Sequence, residues 1–277
     1  MQRERLADDI FVFISDLYAQ VTASLVLTSE GAVLIDTLVF PEETLHIRRF
    51  VEKRLNTSVR YIINTHFHAD HTTGTYLFPG ATVISHALCR ELLDTRGRES
   101  VARLRESAEF QGLELVLPQV VFSEGRFSLH VGDKTFQMWA SPGHSPDSIV
   151  CLLKDERVLF GADTLMPLPY FVDGSYDDFL SSLKALRNGN FENVVQGHGE
   201  ILLRGEIEEK IENDIDYLIK LRQQVDAALE SSSPEQALRS ITPERCGKSP
   251  ILLGGAVEQL HRRNVSALAS RRMPAHS

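Results

Sequence analysis

The chain has 277 residues, 43% of them hydrophobic, enough for one substantial core or one core with a small appendage. A formal net charge of −9 supplies no basic field for phosphates and argues against nucleic-acid binding that ignores sequence. No run reaches the roughly 18 apolar residues of a membrane span, and the charged start MQRERLADDIFVF lacks the apolar stretch of a signal peptide. The expectation is a cytoplasmic protein with no membrane partner. Cys89, Cys151 and Cys246 lie far apart with no CxxC pair, so they read as buried small hydrophobes rather than a disulfide framework or thiolate zinc site.

The segment SLVLTSEGAVLIDT alternates and breaks at Glu30 and Gly31, as a hairpin does. PEETLHIRRFVEKRL follows with Pro41 in a first-turn position and Ile47, Phe50, Val51 and Leu55 on one helical face. VRYIIN is a short apolar strand leading straight into NTHFHADHTTG. From His86 to Gln111 the pattern is helical and charged, and from Val120 to Phe160 it becomes a series of short strands split by Gly, Pro and Asp. SYDDFLSSLKALRN reads as a helix capped by Ser175, with Tyr176, Phe179, Leu183 and Leu186 as its buried stripe. A last strand, NVVQ, ends at GHGE. Beyond it Ile207, Ile211, Ile215, Leu218, Val225 and Leu229 keep helical spacing, and Ser233, Pro234 and Gln236 form a capping-box signature for a further helix. Gly254 and Gly255 precede Val257, Leu260, Val265 and Leu268, spaced for an amphipathic helix that covers the mouth of the site or builds a homodimer. Two groups of strands, each followed by helices, predict two sheets with helices outside, in residues 1–205, and a helical extension in 206–277.

His66, His68, Asp70 and His71 stand within six consecutive residues at a strand's end. In an extended segment, residues two apart point the same way, so His66 and His68 can present imidazoles to one ion. A turn after Ala69 aims Asp70 and His71 at a second point. Three more ligand-type residues follow apolar strands or sit in Gly/Pro-rich loops: His144 in SPGHSPDS, Asp163 in LFGADTL and His198 in VVQGHGE. Seven such ligands suffice for two divalent ions sharing a carboxylate, zinc being the expected metal and iron or manganese the alternatives. A lone histidine is usually packed or solvated, and His46, His86, His130, His261 and His276 are read that way.

HFHADH, with GHS, GAD and GHG in order behind it, strongly resembles the HxHxDH signature of the metallo-β-lactamase superfamily of hydrolases, over roughly Leu17 to Glu200. The resemblance implies an αββα sandwich with the metal centre at one edge. It gives His66, His68 and His144 to a first metal, Asp70, His71 and His198 to a second, and Asp163 to both. An aspartate at the bridging position is similar to the glyoxalase II and lactonase side of the superfamily, whereas the commonest zinc β-lactamases carry cysteine there. The resemblance further implies that Asp70 orients the nucleophile and carries a proton to the leaving group.

The expected chemistry is hydrolysis of an ester, thioester or lactone of a small-molecule substrate. Met166, Leu168, Tyr170 and Phe171 follow Asp163 and are candidates for an apolar wall with a phenol. The competing reading is ordinary packing beneath the next helix. Met166 replaces the tyrosine of acyl-homoserine lactonases, and GADTLMPLP keeps only the opening of the glyoxalase II continuation. The alternative function is that of a persulfide dioxygenase, which shares the fold and holds one iron with two histidines and an aspartate. It leaves Asp70, His71 and His198 without a task.

Overall fold

The structure, a computed structural model, describes residues 1–272. His276 lies outside them. The first half of the chain contains β1 (Gln2–Ala7), β2 (Ile10–Ile14), β3 (Thr22–Thr28), β4 (Gly31–Ile35), α1 (Pro41–Arg49), β5 (Val59–Ile63), α2 (Ala69–Thr72), β6 (Thr82–His86), α3 (Ala87–Leu92), α4 (Arg98–Leu104) and β7 (Val120–Phe122). The second half contains β8 (Arg126–Val131), β9 (Lys134–Ala140), β10 (Ile149–Leu153), β11 (Val158–Ala162), α5 (Tyr176–Leu186), β12 (Asn193–Gln196), β13 (Ile201–Leu203), α6 (Arg204–Leu229), α7 (Pro234–Arg239) and α8 (Ala256–Arg272).

The first sheet runs β1-β2-β3-β4-β5-β6-β7, and the second β13-β12-β11-β10-β9-β8. Neighbours are parallel from β4 to β7 and between β11 and β12, and antiparallel elsewhere. Strand alternation decides which face meets which layer. On β10, Ile149 and Cys151 face the other sheet, while Val150 between them faces the helices. Val12, Val33, Ile63 and Ile84 of the first sheet meet Phe136, Met138, Phe160 and Val195 of the second. Ile47 and Val51 pack on the outer face of the first sheet against Leu25, Leu34 and Ile62. Phe179 and Leu183 of α5, Ile211 and Leu218 of α6, and Val265 and Leu268 of α8 cover the outer face of the second sheet around Leu159 and Val194. The layers therefore stack α, β, β, α, with the C-terminal helices in the last of them.

The hairpin at Glu30 and Gly31 and the α5 cap form as the sequence predicts. Gly31 takes φ 119°, and the Ser175 hydroxyl accepts the Asp178 N–H at 3.3 Å. The capping box at Ser233 does not form. Helix α7 starts at Pro234, yet the Ser233 side chain makes no cap bond, and none of the helix's six residues is buried. An exposed single turn leaves water to satisfy its first N–H groups. The three cysteines are free and buried.

Candidate metal centre

Three strand ends and one hairpin loop converge on the edge where the two sheets are joined. Thr22 N–H donates to the Gly197 carbonyl at 2.9 Å, and its hydroxyl donates to the Gln196 carbonyl at 2.6 Å, fixing the end of β12 to the start of β3. β5 leads into Thr65 and His66, the chain bends at His66 and Phe67 instead of running on extended, His68 returns to extended backbone just before α2, and α2 then turns Asp70 and His71 inward. His144 sits in the β9–β10 loop, Asp163 directly follows β11, and His198 lies two residues beyond β12. Backbone strain aims Asp163. Ala162 before it has φ 44°, a left-handed conformation disfavoured for a residue with a Cβ, at a break in the β11–β12 register.

All seven predicted ligands meet here, in three groups whose ligand atoms lie within 4.8 Å of one another: His66, His68 and His144; His66, His71 and Asp163; and Asp70, His71 and His198. Asp163 stands between the sets, with Oδ1 3.2 Å from His71 Nε2 and Oδ2 3.2 Å from His144 Nε2 and 3.4 Å from His198 Nε2. Asp70 Oδ2 lies 3.4 Å from His198 Nε2 and 3.7 Å from His71 Nε2. Gly197 makes room for this arrangement. A Cβ there would stand 1.9 Å from Asp163 Oδ1.

Each imidazole has its far nitrogen fixed by another group, which sets the tautomer of the near one. His66 Nδ1 faces the Thr65 hydroxyl at 3.1 Å, His144 Nδ1 donates to the Tyr170 carbonyl at 2.7 Å, and His198 Nδ1 donates to the Ala19 carbonyl at 2.9 Å. His71 Nδ1 meets Asp36 Oδ2 at 2.8 Å, and His68 Nε2 meets Asp173 Oδ2 at 3.0 Å. The Thr65 hydroxyl itself donates to Asp36, at 2.7 Å, so it is an acceptor toward His66. The inward nitrogens of His66, His68 and His144 thus carry lone pairs. His68 Nδ1 faces His66 Nε2 at 3.1 Å and His144 Nε2 at 2.9 Å, lone pair against lone pair, an arrangement that a cation between them turns from repulsion into ligation. His71 Nε2 and Asp163 Oδ1 are buried without a hydrogen-bond partner. Several other buried polar atoms are also unpaired, but these two face each other at 3.2 Å among the clustered imidazoles, so the donor set fits a metal.

Electrostatics divide the cluster in two. Burial, reinforced by neighbouring imidazoles, pushes His66 down and brings His144 to about 4, leaving both neutral. Burial opposes charge on His71 and His198 as well, but Asp163 and Asp70 outweigh it: His71 is raised, and His198 is pushed up to about 10. The reciprocal attraction holds both carboxyls below their ordinary value despite burial.

Leu168 and Phe171 do not form the expected wall. Both are fully buried in the core beneath α5, α6 and α8, as the packing alternative has it. Met166 is also buried, and its carbonyl accepts from Lys210 Nζ at 2.7 Å. Tyr170 is half-buried, its ring centroid 6.0 Å from that of His144. Sequence reasoning missed the outer partners. Asp36, Thr65 and Asp173 orient His71, His66 and His68, and Arg96 holds Asp173 at 3.0 Å while lying over the Phe67 ring. Only Asp36 carries a signal, an acid closing the apolar strand GAVLID.

A layered sandwich with a histidine–aspartate cluster at its edge defines a metallohydrolase-type architecture. The profile of the metallo-beta-lactamase superfamily matches residues 18–198, and the chain belongs to that superfamily. It is 25% identical over 200 residues to the Beta-lactamase-like protein 2 homolog of Caenorhabditis elegans, covering 72% of this chain and 61% of that one. To the mitochondrial persulfide dioxygenase ETHE1 of Mus musculus it is 32% identical over 142 residues, 50% of this chain and 44% of the relative. The chain thus spans less than two thirds of the length of either relative. The sec-alkylsulfatase Pisa1 from Pseudomonas sp. superposes with a TM-score of 0.73 at 15% identity, covering 99% of this chain and 50% of that structure. At that identity the likeness is one of fold, and it extends through the helical layer. No helix among the described residues is long and apolar enough to cross a membrane.

Proposed function

We propose that the chain is a metal-dependent hydrolase of small-molecule esters, thioesters or lactones. His66, His68 and His144 would hold one divalent ion, Asp70, His71 and His198 a second, and Asp163 would stand between both. Zinc suits this imidazole and carboxylate set. The proposed catalytic unit is residues 1–205, with the helical extension 206–277 packed on it; the core that α6 and α8 share with the second sheet supports that packing. The observation that carries the reading is the completeness of the second group. Asp70, His71 and His198 gather their ligand atoms within 4.8 Å, which a one-metal site would not require.

Paired divalent ions lower the pKa of a bound water toward ~7 and polarise the oxygen of the bond being cleaved. The residues supply the rest. Asp70 has a side chain 17% exposed, against 3% for Asp163, so it can reach a molecule entering the site. One of its oxygens is held toward His198, and as an ionised carboxylate it only accepts, which suits it to orient a water and take its proton. Handing that proton to the leaving group completes the general acid–base step. Asp36 and Asp173 keep the ring faces of His71 and His68 in place during that step.

The test is elemental analysis of purified protein together with a hydrolysis panel of thioesters, lactones, aryl esters, phosphodiesters and β-lactams. Close to two ions per chain and turnover of an acyl substrate are expected. The similarity to the mouse persulfide dioxygenase favours a second reading. One iron under zinc-replete conditions, with oxygen uptake on a persulfide, would establish that reading instead.

A further inference from the structure

The helical layer contains a buried polar network inside an apolar core. Asn264 and His261 of α8 and Tyr217 of α6 are all fully buried. Such groups are costly unless each donor and acceptor is met, and here they are met in one consistent order. His261 Nε2–H donates to the Ile241 carbonyl at 3.2 Å, the Tyr217 hydroxyl donates to His261 Nδ1 at 3.1 Å, and Asn264 Nδ2 donates to the Tyr217 oxygen at 3.1 Å. The rest of the Asn264 amide turns toward the metal centre. Nδ2 also donates to the Pro169 carbonyl at 2.7 Å, and Oδ1 accepts the Phe171 N–H at 3.3 Å. One side chain therefore grips the chain on both sides of Tyr170, whose own carbonyl accepts the Nδ1–H of His144 at 2.7 Å.

We propose that Asn264 is a positioning residue for the metal centre. Through its two-sided hold on residues 169–171, α8 sets where the Tyr170 carbonyl stands, and with it the orientation of the His144 ring and the basicity of its Nε2. The inference rests on the reading of His66, His68 and His144 as ligands of one ion. A leucine at 264 would fill similar space and leave the Pro169 carbonyl and Phe171 N–H unmatched, so the loop would shift to find other partners. Loss of a direct outer partner of a ligating histidine lowers metal affinity about 10- to 100-fold. Asn264 acts one hydrogen bond further out, so the expectation is the lower end, about tenfold, confined to the first site.

The experiment is a cobalt(II) titration of metal-free full-length protein against a competing chelator, following the visible absorption of the bound ion. Wild type is compared with Asn264→Leu, Asn264→Asp and Tyr217→Phe. Asn264→Asp keeps an acceptor for Phe171 N–H and removes both donors. Tyr217→Phe breaks the same network on the side away from Tyr170 and reports the purely structural loss. The expected result is about tenfold weaker first-site cobalt with an altered absorption band in both Asn264 variants, an unchanged second site, and a Tyr217→Phe protein that melts lower with both affinities intact. An unchanged first-site affinity and spectrum in the Asn264 variants would overturn the proposal, as would equal weakening in Tyr217→Phe. Should Asn264→Leu fail to fold, Asn264→Asp decides on the same readouts. Wild type that takes up no cobalt would refute the metal-centre reading itself, a result distinct from unchanged affinity in a variant.

Discussion

The proposed function gives Asp163 and Asp70 different duties, and substitutions at or beside them should fail differently. Gly197→Ala places a methyl where Asp163 Oδ1 now sits, at a separation of 1.9 Å that no packing tolerates. The backbone there is tied to Ala162 and Thr22, so the carboxylate must move. We expect loss of both ions in elemental analysis while circular dichroism keeps its native shape; two retained ions would show that Asp163 does not stand between them. Asp70→Asn should do the reverse. The amide cannot take a proton at neutral pH, and general acid–base help of this kind is typically worth about 10² to 10⁴ in rate. kcat on the acyl substrate should fall by that order, with the second ion weakened and the first retained. Near-normal kcat would leave the mechanism without its proton carrier. The seven clustered residues were legible because imidazole and carboxylate at strand ends have few other uses in such density. Asp36 and Asp173 were not, because their partners lie 35 and 105 residues away and no local pattern marks the pairing.

At the level of elements, local rules succeeded where local energetics decide. The Ser175 cap, the Gly31 turn and the apolar stripe of α5 each depend on neighbours within a few residues, and each formed. β1 and β2 escaped notice because Arg3, Glu4 and Arg5 disguise an edge strand, while IFVFI is buried on both faces and shows no alternation. In α8 the opposite happened. His261, read as an ordinary packed or solvated residue, and Asn264 share its buried face with Val257, Val265 and Leu268, so the stripe looks broken until its polar members find partners in α6 and the Pro169–Phe171 segment. The helix is therefore expected to matter for both stability and the site. Deleting residues from Ser233 onward would uncover Tyr217, Leu221 and Val225 of α6, which pack in the same core as Val257 and Leu268. At about 25 cal/mol per Å² of exposed apolar surface, losing several such contacts exceeds the margin of many domains. The truncated protein should melt well below the full chain and aggregate on heating. Unchanged melting and unchanged substrate preference would show the layer to be ornament.

Across the whole molecule, a metal held as proposed would compete with protons for the same edge of the sandwich, and the loaded and stripped forms of the protein should answer pH differently. Without metal, His198 carries a folded pKa of about 10 against about 6.5 when unfolded. A raised pKa contributes stability that is complete below about 6.5 and is lost as pH rises through about 10. His71 shifts in the same direction. Asp70 and Asp163 are depressed, so their contribution is present above about 4 and fades only in strong acid. His66 and His144 are depressed and cost stability as pH falls below about 6.5, so metal-free protein should be most stable near that pH and should weaken steadily from pH 7 to 10. Zinc binding needs the same imidazoles deprotonated, releases their protons, and so tightens as pH rises. Stabilisation by a bound ligand grows as RT ln(1 + [L]/Kd), reaching about 4 kcal/mol at a thousandfold excess over Kd. The difference in melting temperature between zinc-loaded and chelator-treated protein should accordingly widen between pH 6 and pH 9. It widens because the stripped form loses its histidine–aspartate pairs as those imidazoles deprotonate, the same proton exchange that tightens the metal. Thermal melts of both forms at fixed free zinc over that range provide the measurement. A gap that stays constant or narrows would mean that His71 and His198 do not exchange protons for metal, and that the second group is an ion-paired cluster rather than a metal site.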